Sequence, residues 1–212
     1  MFLRTATTAM VALLLVAVPA LADMTIGGIT FDDNAFADSL ISSEGSWTIL
    51  GGSATLEDAL IGPDVTNGAY SWDTGANVVL GFDDNVIVNG AGDDVALFEY
   101  GNALDSAAVA ITVGGTTQTY QSYDTGEDVT IAGGGGTFNL DVITFDLDDF
   151  GVAAGSTLDL LQIFPLQLAA SFSLNTAGAI NSAPSAPIPA PAAMLLGVIG
   201  LGLVGPIKRR FS

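Results

Sequence analysis

Apolar residues in this chain come in short runs rich in Val, Ile, Thr and aromatics, broken by Gly, Asn and Asp. Period-two runs with such breakers predict strands and turns rather than amphipathic helices. The pattern predicts strands over 24–31, 46–50, 76–82, 86–89, 95–100, 107–113, 116–122, 128–132, 137–145, 158–164 and 169–174. Many short strands at this spacing suit an all-β sandwich. Gly114 and Gly115 stand between two of these runs and predict a tight hairpin, since paired glycines accept the positive φ of a primed turn. The glycine run 133–136 reads as a flexible turn; no Lys or Ser/Thr follows where a phosphate loop needs one. Residues 95–100 are apolar on both faces until Glu99, as a central strand would be, and 158–164 is similar. Residues 146–155 read as a loop with at most one helical turn. The Ala/Ser/Pro stretch 175–191 reads as an extended, solvated linker. No internal repeat stands out.

The two ends differ from this pattern. Arg4 precedes a short apolar run, and Ala20 and Ala22 frame an Ala-x-Ala cleavage site. Together they predict a signal peptide over 1–22 and a mature chain starting at Asp23; an uncleaved N-terminal anchor is the alternative. Near the other end, 192–207 is apolar and is followed by Lys208, Arg209 and Arg210. As a helix that span would be roughly 24 Å long, slightly short of the ~30 Å hydrocarbon core. The basic triplet behind it should stay cytoplasmic and stop the span there. The domain plan is therefore a signal peptide at 1–22, a β-sandwich at 23–174, a linker at 175–191, a transmembrane helix at 192–207 and a basic tail at 208–212.

Ahead of the span the chain reads Ala186, Pro187, Ile188, Pro189, Ala190. This motif, the span and the Arg cluster resemble the C-terminal sorting signals of exosortase substrates in Gram-negative bacteria, the PEP-CTERM group. The nearest variant is Val-Pro-Leu-Pro-Ala, matched identically at three positions and conservatively at two. The Pro-Glu-Pro form is absent, and Pro191 and Pro206 interrupt the pattern. The resemblance implies an exosortase-type membrane transpeptidase as partner. It also implies transient residence in the inner membrane, then transfer to the cell surface or to extracellular polysaccharide. An ordinary single-span tail anchor is the alternative. Residues 80–99 and 145–155 resemble landmarks of a domain recurrent in such surface proteins, which implies a jelly-roll or galactose-binding-like sandwich.

Charge narrows the function further. All four basic residues lie at the ends, as Arg4, Lys208, Arg209 and Arg210, while all 23 acids lie between Asp23 and Asp159. The segment 23–185 thus has no Lys, Arg or His and carries a formal charge of −23. Nucleic acid is excluded as a partner, because binding it needs cations that displace condensed counterions. Anionic lipid is excluded on the same ground. Self-repulsion on this scale opposes compaction and eases as salt shortens its range, so a salty or calcium-containing exterior suits the chain. There is no cysteine, hence no disulfide, thiol catalysis or Cys-ligated metal.

With no His there is no Ser-His-Asp triad or His-bound zinc, and with no internal Lys no Schiff base. Carboxylates alone could run a glycosidase, which needs only two of them, but acids are so many here that their presence carries little information. Calcium suits them better, since it takes oxygen ligands from carboxylates, amides and carbonyls. The most attractive cluster is Asp83, Asp84, Asn85, Asp93 and Asp94 around Gly90 and Gly92; solvated turn acids are the alternative. Clusters at Asp32–Asn34 and at Asp146, Asp148 and Asp149 have similar chemistry. Flat rings suit pyranose faces, and Tyr70 with Trp72 in a Gly-rich region is the most plausible sugar platform. Trp47 alternates with Ile49 as a core residue would. The expected function is a non-enzymatic exported surface or matrix protein. A calcium-assisted carbohydrate-binding module is the alternative, and a carboxylate-based glycan hydrolase the third reading.

Overall fold

The computed structural model describes residues 23–32, 34–101, 108–166 and 173–185. The signal peptide, sorting motif, apolar span and basic tail read from the sequence lie outside these residues. Among the described residues no helix is long and apolar enough to cross a membrane.

In chain order the strands are β1 (Met24–Ile26), β2 (Ile29–Phe31), β3 (Ser39–Glu44), β4 (Thr48–Leu50), β5 (Gly68–Tyr70), β6 (Asn77–Gly81), β7 (Asn85–Val88) and β8 (Val95–Gly101). They continue as β9 (Ala108–Val113), β10 (Thr116–Gln121), β11 (Tyr123–Thr130), β12 (Thr137–Phe145), β13 (Thr157–Leu158), β14 (Leu160–Leu166), β15 (Ser173–Ala179) and β16 (Ser182–Pro184). Among the described residues one short α-helix, α1 (Leu56–Leu60), and two 3-10 turns interrupt them. Every strand pair is antiparallel. A five-stranded sheet runs β10-β9-β14-β6-β3, and a six-stranded sheet runs β11-β12-β8-β15-β5-β4. A β1-β2 hairpin and a β13-β7-β16 sheet complete the fold. The expected all-β sandwich is what the chain forms.

Alternation along β8 explains why it is buried throughout. Val95 and Leu97 face the main core between the two large sheets, with Val78, Leu80, Ile111, Ile143, Phe145 and Ile163. Ala96, Phe98 and Tyr100 face a second apolar layer, which holds Phe31 and Phe36 from the N-terminal segment together with Leu140 and Val142. Each apolar side chain buried in these layers contributes about 1.5–3 kcal/mol. The six-stranded sheet is thus covered on both faces, and its centre reads as a continuous apolar run for that reason.

The predicted hairpin is present: Gly114 and Gly115 have φ of 56° and 86°, and Val113 pairs with Thr116 across the turn. The single helical turn expected within 146–155 falls at Leu147–Phe150, with the Asp146 side chain accepting from Asp148 N–H.

Two differences from the sequence reading are structural. Residues 175–191 were expected as a solvated linker after a domain ending at 174, yet β15 is buried along its whole length between β8 and β5. β16 then pairs with β7. The domain therefore runs on to Pro184. Small residues such as Ala177, Gly178 and Ala179 are chosen here by lack of room, since a Cβ on Gly178 would press into Phe31 and Phe36. β3 also escaped the pattern; it is an edge strand with a bulge between Leu40 and Ser42, and its last four residues, Ile41 to Glu44, are exposed and polar apart from Ile41.

Candidate functional site

The two ends of the sandwich have different chemistry. At one end β5 closes on Tyr70, which pairs with Thr48 on one side and Ser173 on the other. The next residue, Ser71, is buried; its hydroxyl donates to Ser46 O at 2.8 Å and accepts from Asp73 N–H at 3.1 Å. The Asp73 carboxylate in turn accepts from Ser46 N–H at 2.6 Å. These bonds clamp the chain on both sides of Trp72, whose side chain stands 62 % exposed. Its ring meets Tyr70 edge-to-face, with centroids 5.8 Å apart and planes at 77°. The two aromatics expected as a platform are therefore brought together, Trp72 exposed and Tyr70 half-buried beside it. Trp47 is half-buried against the core and donates its indole N–H to Glu44 O at 2.9 Å, as the alternation with Ile49 implied.

The same end holds two acids that the pattern did not single out as a pair. Glu99 and Asp141 lie opposite each other on β8 and β12, 1 % and 2 % exposed, on the face turned toward the main core. Ser173 N–H reaches Glu99 Oε2 at 3.4 Å. A Cβ on Gly101 would land on the Asp141 carboxylate, so a side chain there would require that carboxylate to move. The sequence signal was Glu99 ending a two-faced apolar run; its partner is legible only from the register.

The opposite end gathers several acids from distant parts of the chain. Asp38 accepts from the N–H groups of Asp83 and Asp84, at 2.8 and 3.0 Å. The Asp84 carboxyl lies above the usual carboxylate range, first because of its partial burial, then through its hydrogen bond and repulsion with Asp38. Asn85 is buried and donates to Asn34 O at 2.9 Å. Asp94 is fully buried: Oδ1 accepts from Gly90 N–H at 2.7 Å and Asn181 Nδ2 at 2.8 Å, and Oδ2 from Leu147 N–H at 2.9 Å. It staples three loops together.

The five residues expected to converge on calcium are therefore not brought into one cradle. Asp83 and Asp84 fold back on Asp38, and β7 runs between them and Asp93 and Asp94. Four residues of strand span about 13 Å. The Asp94 oxygens are engaged by backbone and amide donors. Among the described residues no three acidic side chains are placed to hold a metal. A pocket of about 140 Å³ lies at this end, with Asp23, Asp32 and Asp84 around it. Asp32 there accepts from Ser182 Oγ at 2.9 Å.

No protein-family model matches the chain, and no curated protein matches it in sequence. Among solved structures it is similar to an exo-β-1,3-galactanase from Phanerochaete chrysosporium bound to β-1,3-galactotriose, at 15% identity and a TM-score of 0.38. That match covers 68% of this chain and 28% of the galactanase, so the chain spans little more than a quarter of that enzyme. It is also similar to a Xyl-CBM35 module in complex with a glucuronic acid containing disaccharide, at 12% identity and a TM-score of 0.36. There the match covers 70% of this chain and 93% of the module.

Proposed function

We propose that residues 23–185 are a non-enzymatic carbohydrate-binding module of an exported surface or matrix protein. The observation that carries this reading is Trp72, largely exposed, set edge-to-face on Tyr70 and clamped through Ser71 and Asp73. Beyond its edge contact with Tyr70, most of the Trp72 indole is left in water, where it adds little to stability. Flat apolar rings with polar rims are what pyranose faces stack on, and rigid aromatics give contact area at low entropic cost. Export is supported by the Ala20–Ala22 cleavage pattern, and sorting by the motif at Pro187, Ile188, Pro189 and Ala190 with the apolar span and Lys208, Arg209 and Arg210 behind it.

A glycan array tests the binding half. Trp72→Ala should leave the melting temperature within about 1 °C, because the ring is mostly solvent-exposed, and should abolish any glycan signal. Unchanged binding by that variant removes the platform from the proposal. For the export half, mass spectrometry of surface material should find an N-terminus near Asp23 and no peptides from 194 onward. Abundant tail peptides there would leave a plain membrane anchor.

A further inference from the structure

We infer that the polysaccharide taken at Tyr70–Trp72 is amine-bearing: a hexosamine polymer with free, protonated amino groups. This inference rests on the platform reading and names its ligand class. Two carboxylates, Asp73 and Glu44, belong to the segments that the platform's hydrogen bonds join, and the described residues contain no cation. Asp73, exposed, follows Trp72 directly and bonds Ser46 N–H through Oδ2. Glu44, also exposed, ends β3 two residues before Ser46, which Ser71 and Asp73 tie to the platform; one of its oxygens accepts from Asn77 Nδ2 at 3.0 Å. Each carboxylate uses some of its lone pairs in these bonds and keeps others for a ligand, since an ionised carboxyl offers about four acceptor sites.

No Lys, Arg or His occurs anywhere from residue 5 to residue 207. A uronate or sulfate group on a sugar would therefore meet 23 acids and no counter-charge in the domain. An ammonium group meets the reverse. The face of an indole attracts a cation through its quadrupole, and a neighbouring carboxylate adds a charge-assisted hydrogen bond. The net charge of the domain raises the local concentration of a polycation before contact. Charge complementarity and the exposed indole thus select the same chemistry from separate observations.

The test uses the full-length chain in mild detergent at mildly acidic pH and moderate salt. The probes are a soluble glucosamine oligomer, its fully N-acetylated form and an oligogalacturonate. The expected result is about tenfold tighter binding of the amine form than of the acetylated form, the size of a favourable cation–aromatic contact. Oligogalacturonate should not bind. Glu44→Gln with Asp73→Asn keeps oxygens for Asn77 and Ser46 but removes two charges, and should erase most of the amine preference. Trp72→Ala should lose both ligands. Equal, Trp72-dependent affinity for the amine and acetylated forms would overturn the amine inference and leave the platform standing. So would a preference for oligogalacturonate. Amine binding that survives both Trp72→Ala and the double variant would be bulk attraction to an acidic protein, which overturns it too. If none of the three binds, the platform reading falls and takes this inference with it.

Discussion

Individual acids in this protein play opposite parts, and position decides which. Asp94 is buried and accepts from two backbone N–H groups and the Asn181 side-chain amide, so its oxygens find donors within the protein. Asp64 is similar on a smaller scale. Burial pushes its carboxyl up, but bonds from the Thr66 hydroxyl, Thr66 N–H and Asn67 hold it below the ordinary value. Asp84 goes the other way, raised by burial and by Asp38. A group whose carboxyl is easier to protonate when folded favours the fold at low pH, and that contribution is lost as pH rises through its folded value. At neutral pH the Asp38–Asp84 contact is therefore a cost. Asp84→Asn should raise stability at pH 7 by on the order of a few tenths of a kcal/mol, since an exposed pair is screened. The gain should vanish toward pH 3. Urea titrations of both proteins at the two pH values check this; a variant less stable at pH 7 would mean the charge is favourable there.

At the scale of elements, β15 carries a lesson about the end of the domain. Its seven residues lie buried at the centre of the six-stranded sheet, pairing with β8 and β5. The peptide between them carries N–H and C=O groups that need partners once buried, and removing the strand would orphan those of β8. A chain ending at 174 should therefore fail to fold cooperatively, whereas one ending at 185 should fold. Circular dichroism melts of the two fragments decide the matter. A sharp transition in the shorter one would show that β15 is dispensable.

For the whole molecule the dominant fact is a charge of −23 on 23–185 with no internal cation. Most of the carboxylates are exposed, so repulsion acts mainly over the surface, whereas Glu99 and Asp141 lie buried opposite each other on β8 and β12. In 0.01 M salt the Debye length is roughly 30 Å, long enough to couple the acids across the domain; at 1 M it is about 3 Å. The melting temperature of 23–185 should rise with NaCl over this range. Magnesium and calcium should act alike at matched ionic strength, because Asp83, Asp84, Asp93 and Asp94 do not form one cradle. A calcium-specific gain would reveal a cation site that these residues do not account for, and a flat response to NaCl would show that repulsion is not material.

Period-two alternation, glycine punctuation and the two-faced apolar run at 95–100 were enough to read an all-β sandwich, the central place of β8 and the Gly114-Gly115 hairpin, because these depend on local conformation and on burial. Total charge and the absence of His, Cys and internal Lys excluded whole classes of chemistry without any coordinates. What only the tertiary structure decided depends on which distant segments meet. The low-complexity composition of 175–184 reads as linker, yet small residues are what the crowded sheet beside Phe31 and Phe36 admits. Asp83 to Asp94 reads as one acidic cluster even with the predicted strand 86–89 between its halves. Only the fold shows that the halves go to different partners, Asp83 and Asp84 to Asp38, and Asp94 to Gly90, Leu147 and Asn181. Glu99 and Asp141 are 42 positions apart and meet by antiparallel register alone. Tyr70 and Trp72 were visible as aromatics; that Trp72 faces outward was settled by the hydroxyl of Ser71 turning inward between them.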